Sequence, residues 1–365
     1  MKRIVLWSLV SLFLSLTTLP AEASRKIRFT HHNVKMKPID IKKLNVKPAK
    51  TSSYTQSWNI WSWNDKGYVV YGLVALTKIF GVMRLGVQLT VRTPDGKVKH
   101  KTAEYTGSKY NWDKGRLRVW VPNKHVFQFR GNRGLFIAQF GKWACRLRMT
   151  RVLPGFRFAN GRVKFGNRTF NGVTFAPRLA VKGRLVINGQ KHRFNGVGYA
   201  DYGWQNIMPQ HISKRWFSAR SITKDYTIIG AQLLPSPKWR PRSIPILSIA
   251  YKGKYIFQAD HRHLTFAARR RKFDKRSGYR VPQYTVFRGK KNGMRVKLVI
   301  KHTKMYDNFD ALSRMSPMLR FVIRNLVSNP FIFRYKAKFV LTLRKGSKRT
   351  RIVRYGFTEF AILNK

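Results

Sequence analysis

One aspartate lies among aromatic residues in a chain that has few acidic residues. Asp201 belongs to residues 198–204, and the whole 365-residue chain contains only 13 Asp and Glu. An apolar environment disfavours the charged form of a carboxyl group and raises its pKa, which suits a proton donor. Asp201 is therefore a candidate general acid.

A basic and aromatic segment follows this aspartate. If residues 214–220 form a strand, Trp216 and Arg220 share one of its faces, because side chains alternate along a strand. Arg220 can then pair with Asp201 and oppose the effect of burial on its pKa. Two interpretations stay open: Asp201 is a proton donor, or it is a structural carboxylate that caps a turn or neutralises a buried arginine.

Three tryptophans form a second cluster near the start of the β-type sequence. Trp58, Trp61 and Trp63 lie within six residues, and on a strand Trp61 and Trp63 face the same way. Such side chains can line an apolar ligand pocket in the mouth of a barrel. The alternative is ordinary core packing, since large aromatic side chains are often inside for burial alone.

The remaining motifs indicate neither a metal nor a cofactor. His261 and His263 would share a strand face while Asp260 points away, which leaves a third ligand missing. The sequence shows no Gly-rich phosphate loop, Ser-His-Asp arrangement or zinc spacing. We therefore predict that the protein binds no metal and uses no cofactor.

The elements that must position these residues are predicted to be short β-strands. Residues 117–121 and 126–129 alternate apolar and polar side chains with a period of two. Asp-Gly and Asn-Gly turn signals, such as Asn188-Gly189, separate the strands. No long amphipathic helix is evident. The pattern is typical of an all-β sandwich or barrel.

The length of the chain predicts about two domains. We expect an N-terminal β-barrel over residues 51–208 and a C-terminal β-barrel over residues 209–365. Residues 24–50, rich in Lys and Pro, are predicted to form an extended basic leader. Cys145 is the only cysteine, so no intrachain disulfide can form and packing must stabilise the fold.

The N-terminus is typical of a secretory signal peptide. A basic start precedes an apolar run over residues 4–19, and Ala21-Glu22-Ala23 supplies a small-x-small cleavage pattern. The run is shorter than the roughly 20 residues that a spanning helix needs, and an uncleaved anchor is the alternative. We therefore expect residues 1–23 to be removed and the protein to be periplasmic or secreted.

The charge of the chain is extreme. Lys and Arg number 75, which gives a formal net charge of +62. Such a surface attracts nucleic acid, acidic polysaccharide and anionic lipid. The basic residues are spread along the chain, whereas a specific nucleic-acid site shows a clustered footprint, so we expect no specific nucleic-acid partner. Either a compositional habit of the host's exported proteins or adhesion to an anionic membrane or cell-surface polymer explains the charge.

The aspartate motif also resembles a known family. Gly198-Tyr199-Ala200-Asp201-Tyr202-Gly203-Trp204, followed by Arg215-Trp216-Phe217, is similar to the central motif of the AttH-like, carotenoid 1,2-hydratase (hydroxyneurosporene synthase) type family. The resemblance implies two consecutive lipocalin-like antiparallel β-barrels. Tyr199, Asp201 and Trp204 match the family pattern, while Ala200 and Tyr202 replace its two histidines. Tyr202 can then supply a hydrogen bond that a histidine supplies in the family.

Three functions follow as hypotheses. The first is the binding of a hydrophobic lipid or isoprenoid in the first barrel or between the barrels, by the aromatic residues and one arginine named above: Tyr199, Trp204, Trp216, Arg220, Trp58, Trp61 and Trp63. The second is a hydratase or isomerase that acts on a polyene or terpenoid, with Asp201 as acid and Tyr202 as its helper. The third is a basic structural protein that adheres to a polyanion or surface.

Overall fold

The structure is a computed structural model that describes residues 27–29, 34–35, 41, 44–46, 54–79, 81–207, 209–239, 243–313, 321, 324 and 329–363. The predicted signal peptide, residues 1–23, lies outside the described residues. Within the predicted leader, residues 24–50, the chain forms two short strands that join the first sheet.

The first of two sheets contains fourteen antiparallel strands. They are β1 (Ile27–Phe29), β2 (Val34–Lys35), β3 (Tyr54–Trp63), β4 (Val69–Ile79), β5 (Val82–Arg92), β6 (Val98–Thr106), β7 (Asn111–Trp112), β8 (Leu117–Val121), β9 (His125–Arg130), β10 (Arg133–Phe140), β11 (Trp143–Arg151), β12 (Phe156–Phe165), β13 (Arg168–Ile187) and β14 (Gln190–Gln205).

In this sheet the last strand, β14, pairs with the third, β3. The order is β6-β5-β4-β3-β14-β13-β11-β10-β9-β8-β7, so that neighbours on this path are consecutive in the chain except where β14 meets β3 and where β13 meets β11. The path ends at β6 and β7, which are joined by a 3-10 helix over Gly107–Lys109. β12 leaves the path and pairs with β13, β1 and β2.

The second sheet repeats the same circular order with nine strands. They are β15 (Ser213–Ile222), β16 (Tyr226–Pro235), β17 (Ile244–Tyr251), β18 (Lys254–Asp260), β19 (Leu264–Asp274), β20 (Tyr279–Lys291), β21 (Met294–Asp310), β22 (Phe331–Lys345) and β23 (Lys348–Ile362). Here β23 pairs with β15, the path ends at β18 and β19, and β17 contacts β19. The prediction of an all-β fold with two consecutive antiparallel barrels is confirmed.

Helices are few in the described part of the chain. Helix α1 (Pro209–Ile212) connects the two sheets, and a 3-10 helix over Pro237–Trp239 follows β16. Among the described residues, no helix has the length and apolar character that crossing a bilayer requires.

Aromatic side chains fill the interior of each barrel. Trp58, Phe127 and Phe136 are almost fully buried in the first barrel, and Phe287 and Phe333 are buried in the second. A Cβ atom added to Gly72 would lie 2.5 Å from a ring carbon of Phe136, so the ring occupies the space that a side chain would need. At these positions the barrels are packed rather than hollow.

The two barrels pack against each other through outward-facing side chains. A separate buried cluster joins Trp61 and Tyr199 of the first sheet to Ile222, Ile229 and Phe357 of the second. These residues alternate along their strands with residues that point into the barrels, because side chains of a strand alternate between its faces. The interface between the barrels is therefore a third core.

Candidate functional site

The aspartate motif contributes side chains to two different environments. In the pairing of β14 with β3, Tyr199 lies opposite Trp61 and Asp201 lies opposite Asn59. Tyr199 and Asp201 face the interface between the barrels, whereas the neighbouring Tyr202 belongs to the core of the first barrel. Because adjacent residues of a strand point in opposite directions, Tyr202 lies on the other side of the sheet from the Asp201 carboxyl.

Asp201 is held inside the interface by polar neighbours. The Asn59 side-chain amide donates a hydrogen bond of 2.7 Å to Asp201 Oδ1, and Tyr71 OH donates one of 2.8 Å to Asn59 Oδ1. Burial raises the pKa of Asp201 above its ordinary value, although the Arg220 charge and the Asn59 hydrogen bond oppose the rise. This carboxyl group is therefore biased toward its neutral, proton-donating form.

Arg220 enters the same interface from β15 of the second barrel. Its Cζ lies 4.3 Å from the ring centre of Trp61 and 4.9 Å from that of Tyr199, which are distances of cation–π contact. Its Nη2 donates a hydrogen bond of 2.7 Å to Ser218 Oγ. The side chain is only 2% exposed, yet its Nε and Nη1 have no hydrogen-bond partner. Arg220 thus approaches Asp201 as the sequence suggested, but its hydrogen bond goes to Ser218.

A second buried arginine, which the sequence analysis missed, lies beside the first. Arg334 is 2% exposed and donates to Asp307 Oδ2 at 2.7 Å and to Glu359 Oε2 at 2.8 Å. Burial alone would lower the Arg334 pKa, but the two carboxylates raise it above its ordinary value. Arg334 also lies over the ring of Tyr71, with its Cζ 4.5 Å from the ring centre. This arginine is thus charged, paired and in contact with both barrels.

A histidine of the first barrel completes this network. His100 Nε2 lies 3.2 Å from Asp307 Oδ1, and His100 Nδ1 lies 2.9 Å from Thr90 Oγ1. Burial raises the pKa of Asp307, but the His100 hydrogen bond and the Arg334 charge lower it below its ordinary value overall. Asp201 and Asp307 therefore have pKa values displaced in opposite directions within one interface.

The network reaches the surface through an open cleft between the barrels. The cleft has a volume of about 430 Å³ and is lined by residues of both sheets: Val98, His100, Arg276, Tyr306, Asp307, Asn308, Phe309 and Ser313. The buried hydroxyl of Tyr306 has no hydrogen-bond partner, and burial raises its pKa. Aromatic rings thus line the cleft, and the hydroxyl of one of them, Tyr306, is buried without a partner.

The structure brings together some of the residues predicted from the sequence and separates the others. Trp61, Trp63, Tyr199, Asp201 and Arg220 lie at the interface, where the ring of Trp63 is 5.1 Å from that of Phe357. The core of the first barrel instead contains Trp58 and Tyr202, and the half-buried Trp204 packs against it.

Two further points concern the predicted residues. Trp216 is half-buried on the outward face of β15 and lies outside the interface cluster. Among the described residues, no group of three or more His, Cys, Asp or Glu side chains could hold a metal ion.

The missed residues share one signal that was present in the sequence. Asp307 and Glu359 are carboxylates in a chain that has few of them, which is the argument that selected Asp201. Burying a carboxylate is costly unless a positive charge or hydrogen bonds compensate for it. The scarcity of carboxylates in the sequence therefore indicated Asp307 and Glu359. It did not indicate Arg334, which pairs with both.

The fold is a lipocalin-like double barrel of the kind found in AttH. An AttH protein of Nitrosomonas europaea superposes with a TM-score of 0.61 at 11% identity, covering 89% of this chain and 96% of that chain. Kievitone hydratase from Nectria haematococca gives a TM-score of 0.54 at 13% identity over 92% and 98% of the two chains. CghA solved with Sch210972 gives 0.61 at 10% identity over 86% and 89%.

The family follows from the sequence itself. The profile of the Svf1 family matches residues 20–362, and the chain belongs to that family. No curated protein sequence matches this chain. The resemblance to the AttH-like family inferred from the aspartate motif is confirmed, while identities this low show a shared fold and nothing more.

The raised pKa of Asp201 leads to the first prediction. As the pH rises, Asp201 should keep its proton to a higher pH than an ordinary aspartate does, because burial favours the neutral form. Infrared difference spectra between the wild type and Asp201→Asn, recorded over a pH series, should show that the C=O stretch of the protonated carboxyl group persists above about pH 4, where an ordinary aspartate ionises.

Asp95 provides the control for this measurement. It is exposed, and hydrogen bonds from Thr93 and Lys97 lower its pKa to about 2. In the difference spectrum of Asp95→Asn, the protonated band should disappear below about pH 4. A band in the Asp201→Asn spectrum that disappears near pH 4 would contradict our account of this site.

The Arg334 network leads to a prediction about stability. Arg334→Met leaves Asp307 and Glu359 buried without their arginine, which should lower the free energy of unfolding by about 3–5 kcal/mol. Denaturant unfolding followed by tryptophan fluorescence measures the change. The control is Arg84→Met, since Arg84 and Glu104 form an exposed pair at 3.5 Å, and such pairs contribute at most about 1 kcal/mol. Equal effects of the two substitutions would contradict the role assigned to Arg334.

Proposed function

We propose that the protein binds a hydrophobic small molecule of the lipid or isoprenoid class at the interface between its two barrels. The observation that carries this proposal is the buried Arg220. Its Nε and Nη1 have no hydrogen-bond partner, and aromatic side chains surround its guanidinium group. A buried donor without an acceptor costs about 1–3 kcal/mol, and this cost is removed when a ligand oxygen accepts the hydrogen bonds.

The surroundings of Arg220 favour a ligand that is mostly apolar. Trp61 and Tyr199 flank the guanidinium, and Trp63 and Phe357 extend the aromatic surface along the interface. Aromatic side chains bind apolar molecules through large contact areas, while a few placed polar groups fix the orientation of the ligand. The ligand that fits has an apolar body and one oxygen-containing group directed at Arg220.

The barrel interiors are less suited to this role. Side chains such as Phe136 and Phe287 occupy them at the positions described above. The interface, in contrast, has an open cleft beside Tyr306, which is lined by residues of both barrels. CghA, which has this fold, has been solved with Sch210972, which supports the use of the architecture for holding a small molecule.

We also propose that the protein acts outside the cytoplasm. The basic start, apolar run and small-x-small pattern of residues 1–23 support export to the periplasm or the medium. A carrier in that compartment meets lipids at a membrane surface. Sequencing the N-terminus of the mature protein tests this part, because export with cleavage predicts a start at Ser24.

Retinol, an isoprenoid alcohol with its own fluorescence, provides a direct test of binding. Wild-type protein should bind it saturably, and Arg220→Gln should weaken binding about tenfold or more because a hydrogen bond to a charged group is lost. Titration of retinol fluorescence measures both affinities.

Arg118→Gln is the matched control for the retinol titration. Arg118 also lies 4.3 Å from a tryptophan ring, that of Trp120, but it is a partly exposed residue on the first barrel. This variant should bind retinol like the wild type. Equal retinol affinity in the wild type and in Arg220→Gln would contradict the proposed site.

A hydratase is the second candidate function, and the raised pKa of Asp201 favours it. In its protonated form, a carboxyl group of raised pKa can protonate an alkene carbon, after which water adds to the cation and returns a proton to the carboxylate. Kievitone hydratase has the same fold as this chain. The Tyr199 hydroxyl, which interacts with Asp201, is the neighbour that can assist, rather than Tyr202.

Acid catalysis makes a prediction separate from binding. With an acyclic isoprenoid such as lycopene in heavy water, the wild type should form a product heavier by one molecule of that water. Asp201→Asn should abolish this product while retinol binding persists, because Asn cannot donate the proton. Mass spectrometry detects the product, and Asp95→Asn should retain the activity. Full activity of Asp201→Asn would exclude the mechanism.

A further inference from the structure

The outer face of the second barrel carries a row of valines that crosses four strands. The register places Val286 opposite Val299, Val299 opposite Val340, and Val340 opposite Val353. Residues that are neighbours across strands lie about 5 Å apart, so the row forms a continuous apolar stripe. All four side chains are half-buried rather than covered.

Two polar rows, rich in basic residues, flank this stripe. One row contains Arg288, Lys297, Thr342 and Arg351. The other contains Tyr284, Lys301, Lys338 and Tyr355. Each row lies about 7 Å from the valines, because residues two apart on a strand share a face. We call these three rows together the valine face.

The alternation along the strands shows that the valine face points outward. Leu298, Ile300 and Leu341 lie between its members in sequence and are fully buried inside the barrel. Tyr355, in contrast, is 67% exposed. The face is thus an outer surface of the barrel and not part of its core.

No carboxylate neutralises this surface from the strands that form it. Residues 280–304 and 336–354 contain no Asp or Glu. The carboxylates of β21 and β23, Asp307, Asp310 and Glu359, lie at the other end of these strands, where Asp307 and Glu359 pair with Arg334. The basic rows therefore keep their full positive charge.

We propose that the valine face docks on an anionic lipid membrane. Each basic side chain near such a surface strengthens binding about fivefold by attraction to the lipid headgroups. The valines can enter the boundary between headgroups and acyl chains, and tyrosine is enriched at this depth because its ring is amphipathic.

The row of valines favours a membrane over a nucleic acid or an acidic polysaccharide as the partner. A nucleic acid or an acidic polysaccharide would contact Lys297, Lys301 and Lys338 but would gain little from the valines between them. A lipid surface uses both kinds of side chain at once. The inference does not depend on the ligand site, because Arg220, Trp61 and Tyr199 lie outside the valine face.

Co-sedimentation of the full chain with vesicles tests the proposal. Vesicles of phosphatidylglycerol with phosphatidylcholine should bind the protein, and vesicles of phosphatidylcholine alone should not. Lys297→Gln/Lys301→Gln/Lys338→Gln should weaken binding about 100-fold, at about fivefold for each charge. The uncharged pair Val299→Ser/Val340→Ser should weaken it roughly tenfold through the lost apolar contact.

Matched variants on the first barrel separate the valine face from general charge. Lys114→Gln/Lys124→Gln/Lys142→Gln removes the same charge from exposed positions, and Val82→Ser/Val152→Ser changes two valines that are 50% and 51% exposed. These controls should bind vesicles like the wild type. Circular dichroism confirms that each variant is folded.

Two results would overturn the proposal. Losses of vesicle binding that are equal for the face variants and the first-barrel controls would show that only diffuse charge acts. The second result is that Val299→Ser/Val340→Ser retains full vesicle binding, while the Lys→Gln variant of the face loses binding to vesicles and to single-stranded DNA equally. The partner would then be a polyanion of another class. The membrane proposal is supported if both the lysine variant and the valine variant of the face lose vesicle binding while the first-barrel controls keep it. In that case the valine substitutions should leave DNA binding unchanged.

Discussion

A guanidinium group buried between two β-sheets must be compensated, and this requirement organises the molecule. Arg334 reaches the interface nearly without exposure, and Asp307 and Glu359 meet it there at hydrogen-bond distance. Removing a charge from water costs several kcal/mol unless partners replace the lost hydration. In a chain of net charge +62, two of only 13 carboxylates are used for this single arginine. The interface between the barrels depends on that pairing, which His100 extends to the first barrel.

Arg220 differs from its neighbour because its compensation is incomplete. Its charge lies against the rings of Trp61 and Tyr199 and close to Asp201, but two of its N–H groups have no acceptor. The same desolvation that makes this arrangement costly raises the pKa of Asp201. A site with unsatisfied donors, an acid of raised pKa and aromatic walls is suited to a ligand, whereas the Arg334 network is suited to holding the barrels together.

The distribution of charge over the second barrel follows from the same scarcity of carboxylates. The acidic residues of β21 and β23 lie at the ends of the strands that meet the first barrel. The remaining length of these strands carries basic rows with no acid between them, separated by a row of valines. One end of β21 and of β23 thus stabilises the interface between the barrels. The remaining length of these strands presents a cationic surface to solvent.

Strand periodicity, turn signals and one short motif were enough to predict the fold from the sequence. Alternation such as that of Leu117–Val121 depends only on near neighbours in the chain, so it can be read without a structure. The rarity of Asp201 likewise identified a carboxyl group that needed special surroundings.

Only the tertiary structure showed which face of each sheet packs inside a barrel and which face forms the candidate site between the barrels. Trp58 and Trp61, three residues apart, separate into the first-barrel core and the interface, and Tyr202 turns away from Asp201. Arg334 meets Asp307 and Glu359 because distant strands pair, and Arg220 meets Trp61 because two barrels pack. Local sequence patterns fix the alternation of side chains, but the partner of each face is set by contacts between residues far apart in the chain.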